Sequence, residues 1–205
     1  MKRYDCMKIV ANEIGDALVI TTVGGAAAEW NSIRPGDGSL RCRTLGLVSS
    51  IAMGLAMALP GRRIIGFDGD GALLMNACGL PTLAWQNPAN LTLLVFDNGI
   101  YEASGLRRTA TSAGTDLMAM ARGAGVQSAA WVTDLQQFRT ALRDSLTSKS
   151  LSMIGVKTEA GDDYFKTWQQ LPAFEYSEVE NLYRFMRHIE RLEGKRIVPL
   201  PGPKH

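Results

Sequence analysis

The sequence predicts an α/β fold: three layers, αβα, around a mainly parallel sheet. Two observations carry that prediction. Five short runs, 16–23, 63–68, 91–97, 126–132 and 151–157, are nearly continuous in apolar residues. That pattern suits strands buried on both faces, as in parallel sheets. Stretches with helical character lie between them, and alternating strand and helix argues for helices on both faces.

Taken in order, residues 1–15 read as a short amphipathic helix without the apolar core of a signal peptide. "DALVITTV" is the first strand, and "VSSIAMGLAMAL" (48–59) is a helix rich in small residues. "RIIGFD" is the second strand, followed by a predicted helix over 73–86 with Pro81 near its middle. "LTLLVFD" is the third strand. Helices are then expected over 116–125 and 134–148, the latter with Asp134 as N-cap, around a strand over 126–132. "LSMIGVK" is the last strand.

Composition shifts after residue 158, which divides the chain into an α/β domain (1–158) and a helical extension (159–205). In the extension, a polar loop precedes an amphipathic helix near 175–192, on which Tyr183, Met186, Ile189 and Leu192 recur at helical spacing. A Pro-rich end follows. The helix either docks on its own domain or serves as an arm gripping a neighbouring subunit in an oligomer.

The chain has 205 residues, 46% of them hydrophobic, enough for one sizeable core. Its formal charge of +2 sets up no strong field for nucleic acid or membrane. No apolar run approaches the ~20 residues of a membrane span. Cys6, Cys42 and Cys78 form no CxxC pair, so neither a disulfide framework nor a zinc site is indicated, and a cytoplasmic setting is expected.

The chemistry concentrates in "GFDGDGALLM". Asp68 and Asp70 stand between glycines at the carboxyl end of a strand, where open α/β sheets bind ligands. Glycine lets the backbone approach a ligand closely. The helix expected to begin near Ala72 would point free N–H groups at the same place and attract an anion. A carboxylate facing that anion repels it unless a divalent cation lies between, and carboxylate plus phosphate oxygens make a magnesium site. The next strand ends in Asp97-Asn98-Gly99, which adds the Asn98 carbonyl oxygen and exposed backbone carbonyls such as that of Ile100. GDG or DNG alone is an ordinary turn. Their placement at the ends of consecutive strands is what argues for a site. No GxGxxG follows a strand, so the dinucleotide fingerprint is absent.

GDG, 26 intervening residues and then Asn98 resemble the diphosphate-and-magnesium motif of thiamine diphosphate (ThDP) enzymes, here closing in Asp97-Asn98 rather than an Asn pair. "RCRTLGLVSSIAMGLAMALPGRRIIGFDGDGALLMNACGLPTLA" is similar to the stretch written GSMGxASxIxLGLALA…GDGxLLMNLGxLATI in sulfopyruvate and phosphonopyruvate decarboxylases. "NGIYEASG" with Thr109 resembles their loop after the Asn. The likeness covers residues 1–158 and is nearest to the β-subunit type of sulfopyruvate decarboxylase. It implies a ThDP-dependent 2-oxoacid decarboxylase subunit, with carbon dioxide leaving into the thiazolium electron sink. It further implies Asp70 and Asn98 as side-chain ligands of Mg2+ and Ile100 as a backbone ligand. Gly69, Gly71 and Ala72 would lie along the diphosphate. Leu45 would prop the bent cofactor, and the Arg43 carbonyl would accept from its 4′-amino group, although the family has Gly at that point. Ser49 and Ala52 would pack the helix that follows.

The resemblance also implies a missing half. The aminopyrimidine is activated by a Glu from a pyrimidine-binding domain, and neither Glu13 nor Glu29 falls in a matching motif. The catalytic Glu, and any catalytic His, are therefore expected from a partner subunit in a hetero-oligomer, since the only histidines, His188 and His205, lie in the tail. On the substrate side the candidates are Tyr101, Glu102, Ser104, Arg107 and Arg108. The loop 99–116 is long enough to fold over the site, and guanidinium suits a small anionic 2-oxoacid. Other readings remain open: a carboligase or acetolactate synthase-like subunit, a non-catalytic ThDP-binding module, or a nucleotide-binding domain without thiamine.

Overall fold

Six parallel strands form one sheet in the computed structural model, which describes residues 1–160 and 169–197. The first half of the chain comprises α1 (Arg3–Glu13), β1 (Leu18–Thr21), α2 (Gly25–Ile33), β2 (Ser39–Arg41), α3 (Val48–Ala58), β3 (Ile64–Gly69), α4 (Asp70–Leu74) and α5 (Leu80–Gln86). It continues with β4 (Leu91–Asp97), a small hairpin of β5 (Ile100–Tyr101) and β6 (Arg107–Arg108), and α6 (Leu117–Gly123). β7 (Ser128–Val132), α7 (Leu135–Thr147), β8 (Ser152–Lys157) and α8 (Glu178–Glu193) complete it. The strand order is β2-β1-β3-β4-β8-β7. Among the described residues no helix is long and apolar enough to cross a membrane.

β3 and β4 are buried almost throughout, as their unbroken apolar runs require. One face of the sheet packs under α3, α5, α6 and α8, with Ile20, Leu93, Val95 and Met153 pointing into that layer. The other packs under α1, α2 and α7, where Trp30 meets Phe67 edge-on with ring centroids 4.9 Å apart. Gly66 lies where α3 crosses β3. A Cβ there would sit 2.4 Å from Leu93 Cδ2 and 3.2 Å from Val48 Cγ1, so only glycine lets the helix approach.

The five predicted strands are present, within two residues at each end. Asp134 caps α7 by accepting from the Gln136 and Gln137 N–H groups, and Asp116 caps α6 through Ala119. Three expectations are corrected. The helix predicted over 73–86 is two helices joined by a 3-10 turn, Ala77–Gly79. Asn76 leaves the helical conformation, and its Nδ2 donates to the Gly46 carbonyl and Ser50 Oγ; Pro81 opens α5 instead of interrupting a helix. The first of these helices starts at Asp70, not near Ala72. On α8 the inward stripe is Phe185 and Ile189 with Leu192 partly buried against the same core, so Ile189 and Leu192 pack as expected, whereas Tyr183 is exposed. α2 and β2 were not anticipated.

α8 docks against β2 of its own domain. Asn181 acts there like an extra strand: its Nδ2 donates to the Ser39 carbonyl at 3.0 Å, and its Oδ1 accepts from the Arg41 N–H at 2.9 Å. The polar loop 161–168 and the Pro-rich end, His205 included, lie outside the described residues.

Gly66→Ala is expected to cost about 1–3 kcal/mol, because Leu93 and α3 must move. Gly61→Ala, where a Cβ meets nothing within 4 Å, is expected to fall within about 0.5 kcal/mol of wild type. Urea denaturation of both variants checks this.

Candidate active site

Parallel pairing of β3 with β4 sets Gly69 beside Phe96, so the two acidic turns that follow emerge at one sheet edge. Asp68, Asp70 and Asp97 are all buried there, at 1%, 3% and 4% exposure. Three carboxylates held out of water demand compensation.

Each is treated differently. Asp97 is satisfied: Lys157 Nζ sits 2.5 Å from its Oδ2, and Oδ1 accepts from the Gly99 N–H at 3.1 Å and lies 2.8 Å from Thr111 Oγ1, whose single proton it shares with Asp70. Among the described residues Asp70 is met by two hydroxyls and by the Gly71 backbone N–H, and by no cation. Thr109 Oγ1 at 2.5 Å and Thr111 Oγ1 at 2.8 Å both reach its Oδ2, and neither uses Oδ1. Burial raises the Asp70 carboxyl above the usual carboxylate range, against the pull of the threonines and with the help of the nearby Asp97 charge. Asp68 accepts from the Gly69 N–H at 3.0 Å, while its Oδ2 makes no well-formed hydrogen bond among the described residues; burial pushes its carboxyl up to about 7, against the pull of the Gly69 N–H and the nearby Thr22 hydroxyl.

Asn98 follows Asp97. Its Nδ2 donates to Glu102 Oε1 at 2.8 Å, and its Oδ1 accepts the Ile100 N–H at 3.1 Å. Gly99 makes the turn at φ +72°, in the left-handed region that side chains rarely adopt.

A cavity of about 380 Å³ opens onto these groups, within the range of small-molecule sites. Asp68, Gly69, Asp70, Gly71 and Ala72 form one side, and Asn98, Ile100, Tyr101, Glu102 and Ser104 another. Leu45 reaches it from the turn after β2, and Gly24 and Gly25 reach it from the start of α2. Arg43 is exposed, and its side chain is not part of the wall. Arg107 and Arg108 lie exposed on β6, also off the wall, with Arg108 bound to Ser112. Ser49 and Ala52 are buried in α3. Gly71 seats the ring of Tyr101: a Cβ would fall 2.2 Å from it, so the approach of the ring needs glycine here. Thr111, Lys157 and Arg3 are site residues that the sequence did not single out.

Glu13 and Glu29 are both engaged in ion pairs, with Arg143 and Arg3 respectively. All three cysteines are free. Among the described residues no three His, Cys, Asp or Glu side chains gather as a metal cage. The residues nonetheless fit a diphosphate held through a divalent cation. Among the described residues Asp70 lacks a cationic partner and Asp68 has an oxygen without a well-formed hydrogen bond, and a neutral amide and glycine-lined backbone stand beside them.

Residues 25–156 match the family described as thiamine pyrophosphate enzyme, C-terminal TPP binding domain, and the chain belongs to that family. Within it, the chain is similar to sulfopyruvate decarboxylase subunit beta of Methanocaldococcus jannaschii, with 28% identity over 93% of this chain and 98% of that protein. It is also similar to phosphonopyruvate decarboxylase of Streptomyces viridochromogenes, with 29% identity over 75% of this chain and 38% of that one. Benzoylformate decarboxylase from Polynucleobacter necessarius shares the fold, with a TM-score of 0.64 at 18% identity, over 78% of this chain and 33% of that one.

In the ligand-free chain, Asp68 predicts a signed pH effect. Its folded carboxyl titrates near 7, above the ordinary value of 3.8, so the folded state holds the extra proton between those limits. Its contribution to stability is therefore present at low pH and lost as pH rises from about 4 to about 7. Asp68→Asn is expected to flatten that part of the Tm–pH curve. The variant should be the more stable protein at pH 8, with the gap closing toward pH 4, as differential scanning fluorimetry would show.

Proposed function

We propose that this chain is the ThDP- and magnesium-binding subunit of a 2-oxoacid decarboxylase. Its substrate is a small anionic 2-oxoacid of the sulfopyruvate or phosphonopyruvate kind. The observation that carries this is the buried Asp70, without a cationic partner among the described residues, beside Asn98 at the shared end of β3 and β4 and facing a cavity. The named activities of the relatives supply the substrate class.

When bound, ThDP supplies the electron sink into which a 2-oxoacid loses carbon dioxide. The rest falls to this chain's residues. Asp70 and Asn98 hold Mg2+ through side-chain oxygens and Ile100 holds it through its carbonyl. Gly69, Gly71 and Ala72 offer close backbone to the diphosphate. Leu45 shapes the cavity wall, and the Arg43 carbonyl receives the aminopyrimidine's amino group. Tyr101 and Ser104 line the substrate side. Arg107 and Arg108 take part only if the β5–β6 hairpin folds over the cavity.

The subunit name of the archaeal relative supports a partner for this chain as well. So does the engagement of Glu13 and Glu29 in ion pairs, which leaves the ring-activating carboxylate to a pyrimidine-binding α-type subunit. The cofactor then sits between subunits. The three free cysteines suit a reducing, cytoplasmic setting.

Calorimetric titration with ThDP tests the reading, with and without Mg2+, first on the chain alone and then with its partner subunit. Binding is expected to need Mg2+ and to tighten with the partner, and Asp70→Ala is expected to abolish the Mg2+ requirement together with most of the affinity. No binding in either state refutes the thiamine reading.

A further inference from the structure

Asn98 has two ends, and only its oxygen can ligate a cation. Two independent partners fix which end is which. The Ile100 N–H can only donate, so it selects Oδ1; a carboxylate can only accept, so Glu102 selects Nδ2. Glu102 is held in turn. Its Oε2 accepts from Arg3 Nη2 at 3.3 Å, and the Arg3 fork grips Glu29 of α2 through Nε at 2.8 Å and Nη2 at 3.0 Å. The side chains of Arg3, Glu29 and Glu102 are 15%, 13% and 14% exposed, so the relay is largely shielded from water. It ties α1 and α2 to the loop after β4.

We infer that Glu102 is a positioning residue for the metal: it holds the Asn98 amide with its oxygen available to the cation, and Arg3 and Glu29 hold Glu102. The inference rests on the reading of Asn98 as a Mg2+ ligand. Glu102 acts on the nitrogen end of the amide: one of its oxygens holds Asn98 Nδ2 and the other holds the Arg3 guanidinium. It stands to Asn98 as outer partners stand to metal-binding side chains generally, fixing their orientation. Glu29, which matches no motif in the sequence, acquires a role as the anchor of Arg3.

The test is Mg2+ titration of the full chain with saturating ThDP, in whichever state the wild type binds, alone or with its partner. Affinity is read by calorimetry, and with Mn2+ in place of Mg2+ by the loss of the free-ion EPR signal. Glu102→Ala is expected to weaken metal affinity about tenfold, the low end for such partners because the Ile100 N–H remains. Glu102→Gln keeps an accepting oxygen for Asn98 and is expected to stay within about threefold of wild type. Tm of the metal-free chain is followed separately, since a merely structural role lowers Tm without moving metal affinity. Wild-type affinity in Glu102→Ala overturns the inference, as does a Gln variant as weak as the Ala variant. Should Glu102→Ala not fold, Glu102→Asp, one methylene short of the amide, is expected to bind metal more weakly than Glu102→Gln, and parity overturns the inference. A wild type that binds no metal with ThDP overturns the thiamine reading and this inference together; a wild type that binds, with variants equal to it, overturns this inference alone.

Discussion

Burial of three carboxylates at one sheet edge is the constraint around which the site is arranged. Isolated ionised groups in the interior are expensive, so each must be paired, hydrogen-bonded or protonated. Asp97 is paired with Lys157, the last residue of the neighbouring strand β8. Glu102 is paired with Arg3. Asp70 and Asp68 have no such cation among the described residues, and burial raises both carboxyls. The excess negative charge is thus confined to the DGD turn, beside the cavity. A divalent cation placed there would lower both carboxyls, and an anionic group on its far side would complete the balance.

The strand alternation and the acidic turns were legible because both are local. Continuous apolar runs mark β3, β4 and β8 wherever they sit in the sheet, and a GDG–DNG spacing survives without knowledge of the fold. β2 was not legible. Ser39-Leu40-Arg41 has no apolar run, and it is a strand because β1 on one side and Asn181 on the other satisfy its backbone. α2 escaped notice because Gly25-Ala26-Ala27-Ala28 has small residues where a stripe of large ones would signal a helix. Pro81 lies near the middle of 73–86, where it opens the second helix. Asn76, bound to the turn at Gly46, is what ends the first helix.

Within the candidate site, the acidic turns could be read, but their support could not. Thr111 bridges Asp70 and Asp97 from a later turn, Lys157 comes from another strand, and Arg3 from the first helix. Sequence separations of 60 for Lys157–Asp97 and 99 for Arg3–Glu102 leave no periodic trace. Their residue types, an ordinary Thr, Lys and Arg, announce nothing. Long-range polar partners become visible only when the topology has set the strand ends side by side.

The C-terminal helix belongs to the same argument. An edge strand of three residues presents unpaired backbone groups and is easily misplaced. Asn181 occupies those of β2 at Ser39 and Arg41, while Phe185 and Ile189 fix α8 by burial worth about 2 kcal/mol or more each. Arg41 is held further by the Tyr176 carbonyl and by the Phe174 ring, 3.7 Å from its guanidinium. β2 leads directly into the turn that carries Leu45 to the cavity. The helix therefore fixes the start of that turn from outside the sheet. The chain places its acidic turns with two central strands and steadies the turn that carries Leu45 with a helix that follows the sheet in sequence.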